Sequence, residues 1–221
     1  MKKFIVLIII FLLVLFIYVK NKDDKVYYLS LGDSYAASMN YEGILDYGYS
    51  EYIRDYLIDK KKLEKFVNCF AKSGYRTIDL LRDITDNKVV DNISIKQALI
   101  KADLVTLAIG TNDILSMTSL KMNDECINEA MVDLDNLLKT IREYCKEKII
   151  VIGYFDFGNN EISAYANRKY KELCEKYNII YIDVFNLTGN SLYFPDSNNI
   201  NPSKEGYKAI FDKIKESLDS F

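Results

Sequence analysis

A serine that follows a short apolar run is the first residue of this sequence that could act as a nucleophile. Residues 26–31 are mostly apolar, and Gly32, Asp33, Ser34 and Tyr35 follow them directly. A serine at the carboxyl end of a strand is presented at the sheet edge, where backbone N–H groups can receive a developing oxyanion. The tetrapeptide alone is weak evidence, because glycine, aspartate and serine also occur in ordinary turns.

Two further apolar stretches are followed by residues that suit the same chemistry. Residues 66–70 precede a segment with Gly74, and residues 104–109 precede the sequence Gly-Thr-Asn-Asp at 110–113. In a parallel sheet the carboxyl ends of the strands face one crevice. One serine hydroxyl, one glycine N–H and one asparagine amide would converge there, and these are the groups that acyl transfer requires.

The hydrophobic pattern predicts the elements that would position these groups. In residues 127–145 the apolar side chains recur at three- and four-residue steps, which predicts a long amphipathic helix. Near-continuous apolar strands that alternate with helices indicate a parallel sheet covered on both faces, and therefore a three-layer α/β fold. The predicted strands are 26–31, 66–70, 104–109, 149–153 and 179–184, and the other predicted helices are 51–63, 95–102, 162–176 and a last one from about 203.

Taken together, the three strand-end segments resemble the motif blocks of the SGNH hydrolases, also called GDSL lipases or esterases. The resemblance covers essentially the whole chain after residue 25 and implies a flavodoxin-like α/β/α fold with about five parallel strands. It also implies that Ser34 is the nucleophile, and that the Ser34 and Gly74 N–H groups and the Asn112 side chain form the oxyanion hole. The family hydrolyses carboxylic esters, from lysophospholipids to acetylated sugars, and the resemblance implies no metal and no other cofactor.

The last block of the family differs in this chain. The family has an Asp-x-x-His pair before a proline-containing turn and a final helix, and Pro202 sets the corresponding register here. Asn201 then stands at the position of the base, and Asn198 stands at the position of its orienting carboxylate. The sequence contains no histidine at all. An amide cannot accept the serine proton, and loss of the histidine alone costs about six orders of magnitude in subtilisin turnover.

Other proton acceptors near this block are less suitable. Asp196, Lys204 and Glu205 lie close to Asn201 in the sequence, but a surface role fits all three better than a catalytic one. Two hypotheses follow from the resemblance. One is a weak ester hydrolase, and the alternative is a catalytically inactive pseudoenzyme that binds an acylated glycan or lipid at the cell envelope. A third interpretation is that the three motifs are simple turns at strand ends. We disfavour it, because an ordinary turn does not need a serine at position 34 or an asparagine at position 112.

The N-terminus predicts attachment to a membrane. Residues 4–19 are sixteen uninterrupted apolar or aromatic residues with lysines on both sides. A helix of that length rises about 24 Å, and snorkelling lysines can extend it toward a bilayer core of about 30 Å. A cleaved signal peptide is the alternative, but bulky residues precede Lys20 where cleavage needs small ones. We expect residues 1–25 to be a signal anchor and linker, and residues 26–221 to form a domain outside the cell membrane.

The net charge of the chain limits the kinds of partner that it is expected to bind. Residues 26–221 carry 24 basic and 30 acidic residues, a net charge of −6, and a nucleic-acid binder needs a basic surface instead. The expected partners are therefore an acyl ester and the membrane, not nucleic acid.

Four cysteines, Cys69, Cys126, Cys145 and Cys174, match no metal motif. Buried free thiols fit them better than disulfides, although Cys145 and Cys174 each precede a strand and could approach one another.

Overall fold

Five parallel strands form the central sheet of the part of the chain that the structure describes. A computed structural model of the protein describes residues 8–11, 14, 25–117, 124–156, 160–196, 199–219 and 221. The strands of the sheet are β1 (Val26–Gly32), β2 (Leu63–Val67), β5 (Leu104–Ala108), β6 (Lys148–Ile152) and β7 (Ile180–Ile182), and β3 (Val89–Val90) and β4 (Ile93–Ser94) form a separate short hairpin. The order across the sheet is β2-β1-β5-β6-β7. Because all five strands of the sheet are parallel, their carboxyl ends lie along one edge.

Helices cover both faces of this sheet. Leu29 and Leu31 of β1 pack into one hydrophobic cluster, whereas Tyr28 of the same strand packs into the other. Successive side chains of a strand point to opposite faces, so the two clusters are the two cores of a three-layer α/β fold. Helices α2 (Thr77–Thr85), α3 (Ile95–Lys101), α4 (Thr111–Met117), α5 (Asp124–Tyr144) and α6 (Asn160–Lys176) build the first face, and α1 (Tyr49–Asp59) and α7 (Lys204–Lys215) build the second.

The fold class predicted from the sequence is confirmed, but β2 is misplaced in the prediction. The strand covers Leu63–Val67 and not residues 66–70, and the lysine run before it forms a turn in which Lys61 has φ +57°. β2 lies at the sheet edge, where Glu64 and Lys65 are exposed, so its polar half gave no apolar signal. The hydrophobic pattern did not predict helices α2 and α4. α2 begins directly after the segment that carries Gly74, and α4 begins within the segment 110–113.

The N-terminal prediction lies almost entirely outside the described residues. Within the part of the chain that the structure describes, no helix combines the length and the apolar character needed to cross a bilayer. The Nζ of Lys25, the residue before β1, donates a hydrogen bond of 2.6 Å to the Lys61 carbonyl oxygen. Cys69, Cys126, Cys145 and Cys174 are free thiols, as expected. Cys145 and Cys174 are buried, whereas Cys69 and Cys126 are half-buried.

Candidate active site

The ends of three neighbouring strands bring the predicted site segments together. β1 lies between β2 and β5, and Gly32 at its end pairs with Ala108 of β5 and forms a bridge with Ala71 after β2. The Asp33 N–H donates to the Ala108 carbonyl at 2.8 Å, and the Lys72 N–H donates to the Gly32 carbonyl at 3.0 Å. The nucleophile segment is therefore joined by backbone hydrogen bonds to both other segments.

Gly32 allows the chain to turn sharply before Ser34. Its φ is +134°, and a Cβ at this position would lie 1.8 Å from the Ala108 carbonyl oxygen. No other residue type fits such a close backbone approach. Ser34 follows this turn, is 7% exposed, and accepts a hydrogen bond of 2.9 Å from the Met39 N–H through its carbonyl oxygen. The turn thus holds the serine at the carboxyl edge of the sheet.

Two buried aspartates hold the backbone of the site. Asp33 is fully buried, and its Oδ1 accepts a hydrogen bond of 3.0 Å from the Tyr35 N–H. Burial raises the pKa of the Asp33 carboxyl to about 8. Asp113 Oδ2 accepts from the Thr77 N–H at 2.9 Å and from the Thr77 hydroxyl at 3.1 Å, and burial also raises its pKa. Both carboxyls are engaged with the backbone of the loops, as the family resemblance suggested.

Two of the three predicted oxyanion donors, Gly74 and Asn112, lie in neighbouring segments. Asn112 is in the first turn of α4, and its Nδ2 donates a hydrogen bond of 2.9 Å to the carbonyl of Tyr75, the residue after Gly74. An asparagine amide has two hydrogens, so one remains for a ligand. Gly74 is exposed with φ +80°, and an added Cβ would meet open space. The bond to Tyr75 fixes the Asn112 amide against the glycine turn.

Asn201, at the expected position of the base, is paired with Asn199. It is 9% exposed, and both its N–H (3.0 Å) and its Nδ2 (3.1 Å) donate to Asn199 Oδ1. Asn199 Nδ2 in turn donates to the Tyr41 carbonyl at 2.5 Å. Oδ1 of Asn201 is buried and has no partner among the described residues. Asn198, the partner expected from the family motif, lies outside the described residues. The neighbour that contacts Asn201 is Asn199, which the motif did not indicate.

Two tyrosine hydroxyls join this C-terminal block to the nucleophile turn. Tyr35 donates a hydrogen bond of 2.8 Å to the Ile200 carbonyl, and Tyr207 donates one of 2.5 Å to the Met39 carbonyl. The structure therefore brings Asn201 to the same edge of the sheet as Ser34, Gly74 and Asn112. Of the alternative proton acceptors, Lys204 and Glu205 are exposed in the first turn of α7, and Asp196 lines a neighbouring cavity.

A buried glutamate that the sequence analysis missed supports the loop after the nucleophile. Oε2 of Glu51 accepts from the Gly48 N–H at 2.9 Å, from the Ser50 hydroxyl at 3.0 Å and from the Ser38 hydroxyl. Ser38 has φ +62°, a conformation that favours glycine, so its bond to Glu51 stabilises a costly backbone geometry. The available signal was an acidic residue three positions after a glycine at a helix start.

A cavity of about 420 Å³, which we call the side cavity, opens beside the nucleophile turn. It lies between the segment after β6 and the segments that precede α7. Its walls combine aromatic rings with polar groups: Tyr35, Phe155, Phe194, Asp156, Thr188, Gly189, Ser191, Asp196, Asn199 and Ile200. Tyr35 and Ile200 are the sequence neighbours of Ser34 and Asn201, so the cavity adjoins the predicted site.

A three-layer fold with a serine, a glycine and an asparagine at neighbouring ends of parallel strands is the architecture of an SGNH hydrolase. The model of the GDSL-like lipase/acylhydrolase family matches residues 30–209, and the chain belongs to this family. No curated protein matches the chain significantly.

Solved structures of esterases and lipases share the fold. The lipase Lip_vut3 from a goat rumen metagenome is 20% identical with a TM-score of 0.67, covering 86% of this chain and 96% of its own. Axe2, an acetylxylan esterase from Geobacillus stearothermophilus, is 21% identical with a TM-score of 0.66 and coverages of 87% and 93%. The esterase EstA from Pseudoalteromonas sp., solved with monoethylphosphonate as inhibitor, is 16% identical with a TM-score of 0.63 and coverages of 87% and 96%.

Proposed function

We propose that this chain is an ester hydrolase of low turnover that attacks acyl esters with Ser34. The Ser34 and Gly74 N–H groups and the Asn112 amide would stabilise the oxyanion. The observation that carries the proposal is the hydrogen bond from Asn112 Nδ2 to the Tyr75 carbonyl, because it holds a side-chain donor beside the glycine turn. Preorganised donors of this kind are usually the largest single contribution to acyl-transfer catalysis.

Low turnover is expected because we assign amide side chains to the positions of the catalytic base and of the carboxylate that orients it. Catalytic variants of Axe2 replace by alanine a histidine and an aspartate three positions before it. Asn201 and Asn198 have the same separation here. In the proposed reaction Ser34 Oγ adds to the carbonyl carbon while its proton passes to solvent. The alcohol then leaves with a proton from water, and a second water releases the acid from the acyl-serine.

Labelling with a fluorophosphonate tests the nucleophile directly. We expect a slow covalent adduct on Ser34, located by peptide mass spectrometry, and none on Ser34→Ala. Hydrolysis of a short-chain aryl ester should rise with pH without an inflection near the usual histidine pKa of about 6.5, because no imidazole is present. A folded wild-type protein that forms no adduct, even with prolonged exposure, would refute the hydrolase proposal.

A binding module is the second candidate, and one observation favours it. Asn201 is buried and its side-chain nitrogen donates to Asn199, so an amide that cannot accept a proton is held in a fixed position where the family has its base. Such a pseudoenzyme would retain the oxyanion donors to hold an acylated glycan or lipid. Saturable binding of an ester without fluorophosphonate labelling and without turnover would select this candidate.

We also propose that residues 4–19 anchor the protein in the cell membrane as a single span, with residues 26–221 on the extracytoplasmic side. The support is the uninterrupted apolar run and the bulky residues before Lys20. Intact-mass measurement of the native protein tests this, and the expected mass includes the N-terminal segment. A mature N-terminus between residues 20 and 25, with release into the soluble fraction, would show instead that the segment is a cleaved signal peptide.

A further inference from the structure

A second cavity, which we call the amino-edge cavity, opens at the end of the sheet opposite to Ser34. Its volume of about 390 Å³ lies within the range of about 300–1,000 Å³ that is usual for small-molecule sites. Tyr27, near the start of β1, lines it together with Lys65, which pairs with Tyr27 from β2. The other lining residues come from β2, from the β3–β4 hairpin and from α3: Glu64, Asn92, Ile93, Gln97, Ala98 and Lys101. The chemistry proposed at Ser34 uses none of them.

The hairpin and α3 form a fixed wall of the amino-edge cavity. The hairpin reverses at Asp91 and Asn92, whose φ values of +51° and +62° are typical of a tight two-residue turn. The Ser94 hydroxyl donates to Asn87 Oδ1 at 2.6 Å, and the Gln97 N–H donates to the Ser94 hydroxyl at 3.3 Å. These bonds join the hairpin to the first turn of α3, so the wall does not depend on a ligand for its shape.

The hydroxyl of Tyr27 is a polar group of the cavity that has no hydrogen-bond partner among the described residues. The residue is 7% exposed, and Lys65 Nζ lies 5.8 Å from the centre of its ring. Unlike the hydroxyls of Tyr49 and Tyr170, the Tyr27 hydroxyl is not sealed from solvent, so a ligand can reach it. Burial raises the pKa of Tyr27, and the neighbouring Cys69 and Glu64 raise it further, so the hydroxyl keeps its proton to donate.

Hydrogen-bond donors and positive charge predominate around this hydroxyl. The ammonium groups of Lys65 and Lys101 line the cavity and can only donate. The amides of Asn92 and Gln97 supply two N–H donors each. Glu64 carries the one carboxylate among the lining residues. Two ammonium groups against one carboxylate leave a net positive charge, which favours an anionic ligand.

Further lysines lie at this end of the sheet. Lys25 precedes β1, and the lysine run 60–62 precedes β2. Asp59, Asp91 and Asp103 oppose them, but Asp103 already accepts a hydrogen bond of 2.7 Å from a backbone N–H of β1. Positive charge therefore exceeds negative charge here, although the domain as a whole is acidic.

We propose that the amino-edge cavity binds a phosphate group, held by the Tyr27 hydroxyl and the ammonium groups of Lys65 and Lys101. A phosphate has several charged oxygens that accept from separate donors at once, and lysine is a common phosphate ligand. The site goes beyond the hydrolase function and does not depend on it. The phosphate can belong to a lipid headgroup or to a free ion. The headgroup is the source expected from the proposed anchor, because β1 begins at the end of the sheet where the anchor would enter.

Calorimetric titration of the full chain, kept in a neutral maltoside detergent, tests the site. The probes are inorganic phosphate and glycerophosphoglycerol, which is the headgroup of phosphatidylglycerol without its acyl chains. Acetate at the same ionic strength is the comparison anion. We expect saturable phosphate binding and at least tenfold weaker binding of acetate. Tighter binding of glycerophosphoglycerol identifies a lipid headgroup as the source, and tighter binding of inorganic phosphate identifies the free ion.

Tyr27→Phe should weaken phosphate binding about tenfold, because it removes only the hydroxyl and hydrogen bonds to charged groups are the stronger ones. Tyr144→Phe is the matched control, since Lys96 Nζ lies 5.6 Å from the centre of that ring, as Lys65 does over Tyr27. Tyr144 does not line the cavity, so this variant should bind like wild type.

The charged lining residues should act in opposite directions. Lys101→Gln should weaken phosphate binding about tenfold, whereas Glu64→Gln should strengthen it by removing a repulsive charge. Both residues are exposed, so neither change disturbs the core. Lys171→Gln, on the exposed face of α6, is the control for the loss of one lysine and should bind like wild type.

Three results would overturn the phosphate site. They are the absence of phosphate binding by the folded full chain, equal affinity for acetate and phosphate, and equal affinity in wild type, Tyr27→Phe, Lys101→Gln and Glu64→Gln. None of them bears on fluorophosphonate labelling of Ser34 or on the mass of the N-terminus, so the hydrolase and anchor proposals stand or fall separately. Phosphate binding that responds to these variants supports the site even where Ser34 is not labelled.

Discussion

The side-chain amide of Asn201 donates to Oδ1 of Asn199, and the two atoms are 3.1 Å apart. We assign Asn201 to the position of the base in the family motif, so we propose that this bond replaces the contact between a base and its orienting carboxylate. The acceptor comes two residues before Asn201, whereas the family pattern places the partner three residues before it. The local backbone therefore favours position 199 for a group that orients the side chain at position 201.

Asn201→His together with Asn199→Asp should raise ester hydrolysis above wild type and above Asn201→His alone. An aspartate at 199 could accept from the new imidazole and stabilise the imidazolium that forms. In serine proteases, replacing that carboxylate by an amide lowers turnover about 10⁴-fold, so the double variant should exceed the single one by a wide margin. Turnover of a short-chain aryl ester provides the measurement, with Ser34→Ala added to each variant as the control.

The pair Asn201→His with Asn198→Asp is the matched comparison, because it restores the spacing of the family motif. Greater activity with aspartate at 199 would support the geometry described here. Greater activity with aspartate at 198 would show that the introduced histidine adopts the family arrangement. No gain in either folded variant would mean that more than the base has been lost from the site.

Asn112→Ala should slow fluorophosphonate labelling of Ser34 by about 10²–10³-fold, which is the usual effect of removing one oxyanion donor. The change also removes the bond to the Tyr75 carbonyl, so thermal stability is measured in parallel. Asn186→Ala, at an exposed asparagine in the 3-10 turn Phe185–Leu187 after β7, is the control and should label at the wild-type rate. An unchanged labelling rate in folded Asn112→Ala would argue against its place in the oxyanion hole.

Asp33→Asn should flatten the dependence of stability on pH. In the folded protein the pKa of Asp33 is raised to about 8 from an ordinary 3.8, so the native state retains a proton that the unfolded state loses. The free energy of unfolding therefore falls as pH rises from about 4 to about 8, and the loss is complete above that range. Asparagine preserves the acceptor for the Tyr35 N–H and removes this penalty.

Melting temperatures at about pH 5 and about pH 9 measure that effect. Wild type should lose several degrees more than Asp33→Asn between these values, because each kcal/mol shifts Tm by about 2–4 °C in a chain of this size. Asp59→Asn serves as the exposed control and should follow wild type. Identical pH profiles for wild type and Asp33→Asn would contradict the assignment.

Glu51→Ala should lower the free energy of unfolding by about 1–3 kcal/mol, because three donors of the nucleophile loop and α1 lose their acceptor. Chemical denaturation measures the change, and Glu64→Ala on the exposed face of β2 is the control. Adding Ser38→Gly should recover part of the loss, since glycine adopts a positive φ without support. A double variant as unstable as Glu51→Ala would show that Ser38 is not strained.

The apolar strands and the long helix could be predicted because burial dictates their sequence. All seven residues of β1 are buried, and α5 buries one regular stripe, so both produced clear hydrophobic patterns. β2 could not be placed correctly, because an edge strand with exposed Glu64 and Lys65 has no such pattern. The segments that carry Ser34 and Asn112 were identified by motif, and parallel pairing accounts for their proximity.

The supporting groups of the site could not be predicted from spacing. Glu51 is seventeen residues from Ser34 and acts through Ser38, a contact that depends on how the intervening loop folds back. Asn199 orients Asn201 through a local turn in which one oxygen receives both a backbone and a side-chain hydrogen, which a three-residue motif does not encode. Such hydrogen-bond partners are set by backbone geometry and not by residue type alone.

The direction of β1 has a consequence for any tether at the N-terminus. Lys25 lies at the amino edge of the sheet, and the seven residues of β1 place the turn at Ser34 about 23 Å away, at the opposite edge. A linker of six residues, 20–25, spans at most about 21 Å. If residues 4–19 anchor the domain in a membrane as we propose, the sheet edge that carries Ser34 lies on the side of the domain opposite the anchor. This arrangement would favour polymers that overlie the bilayer as substrates over lipids in the leaflet that holds the anchor.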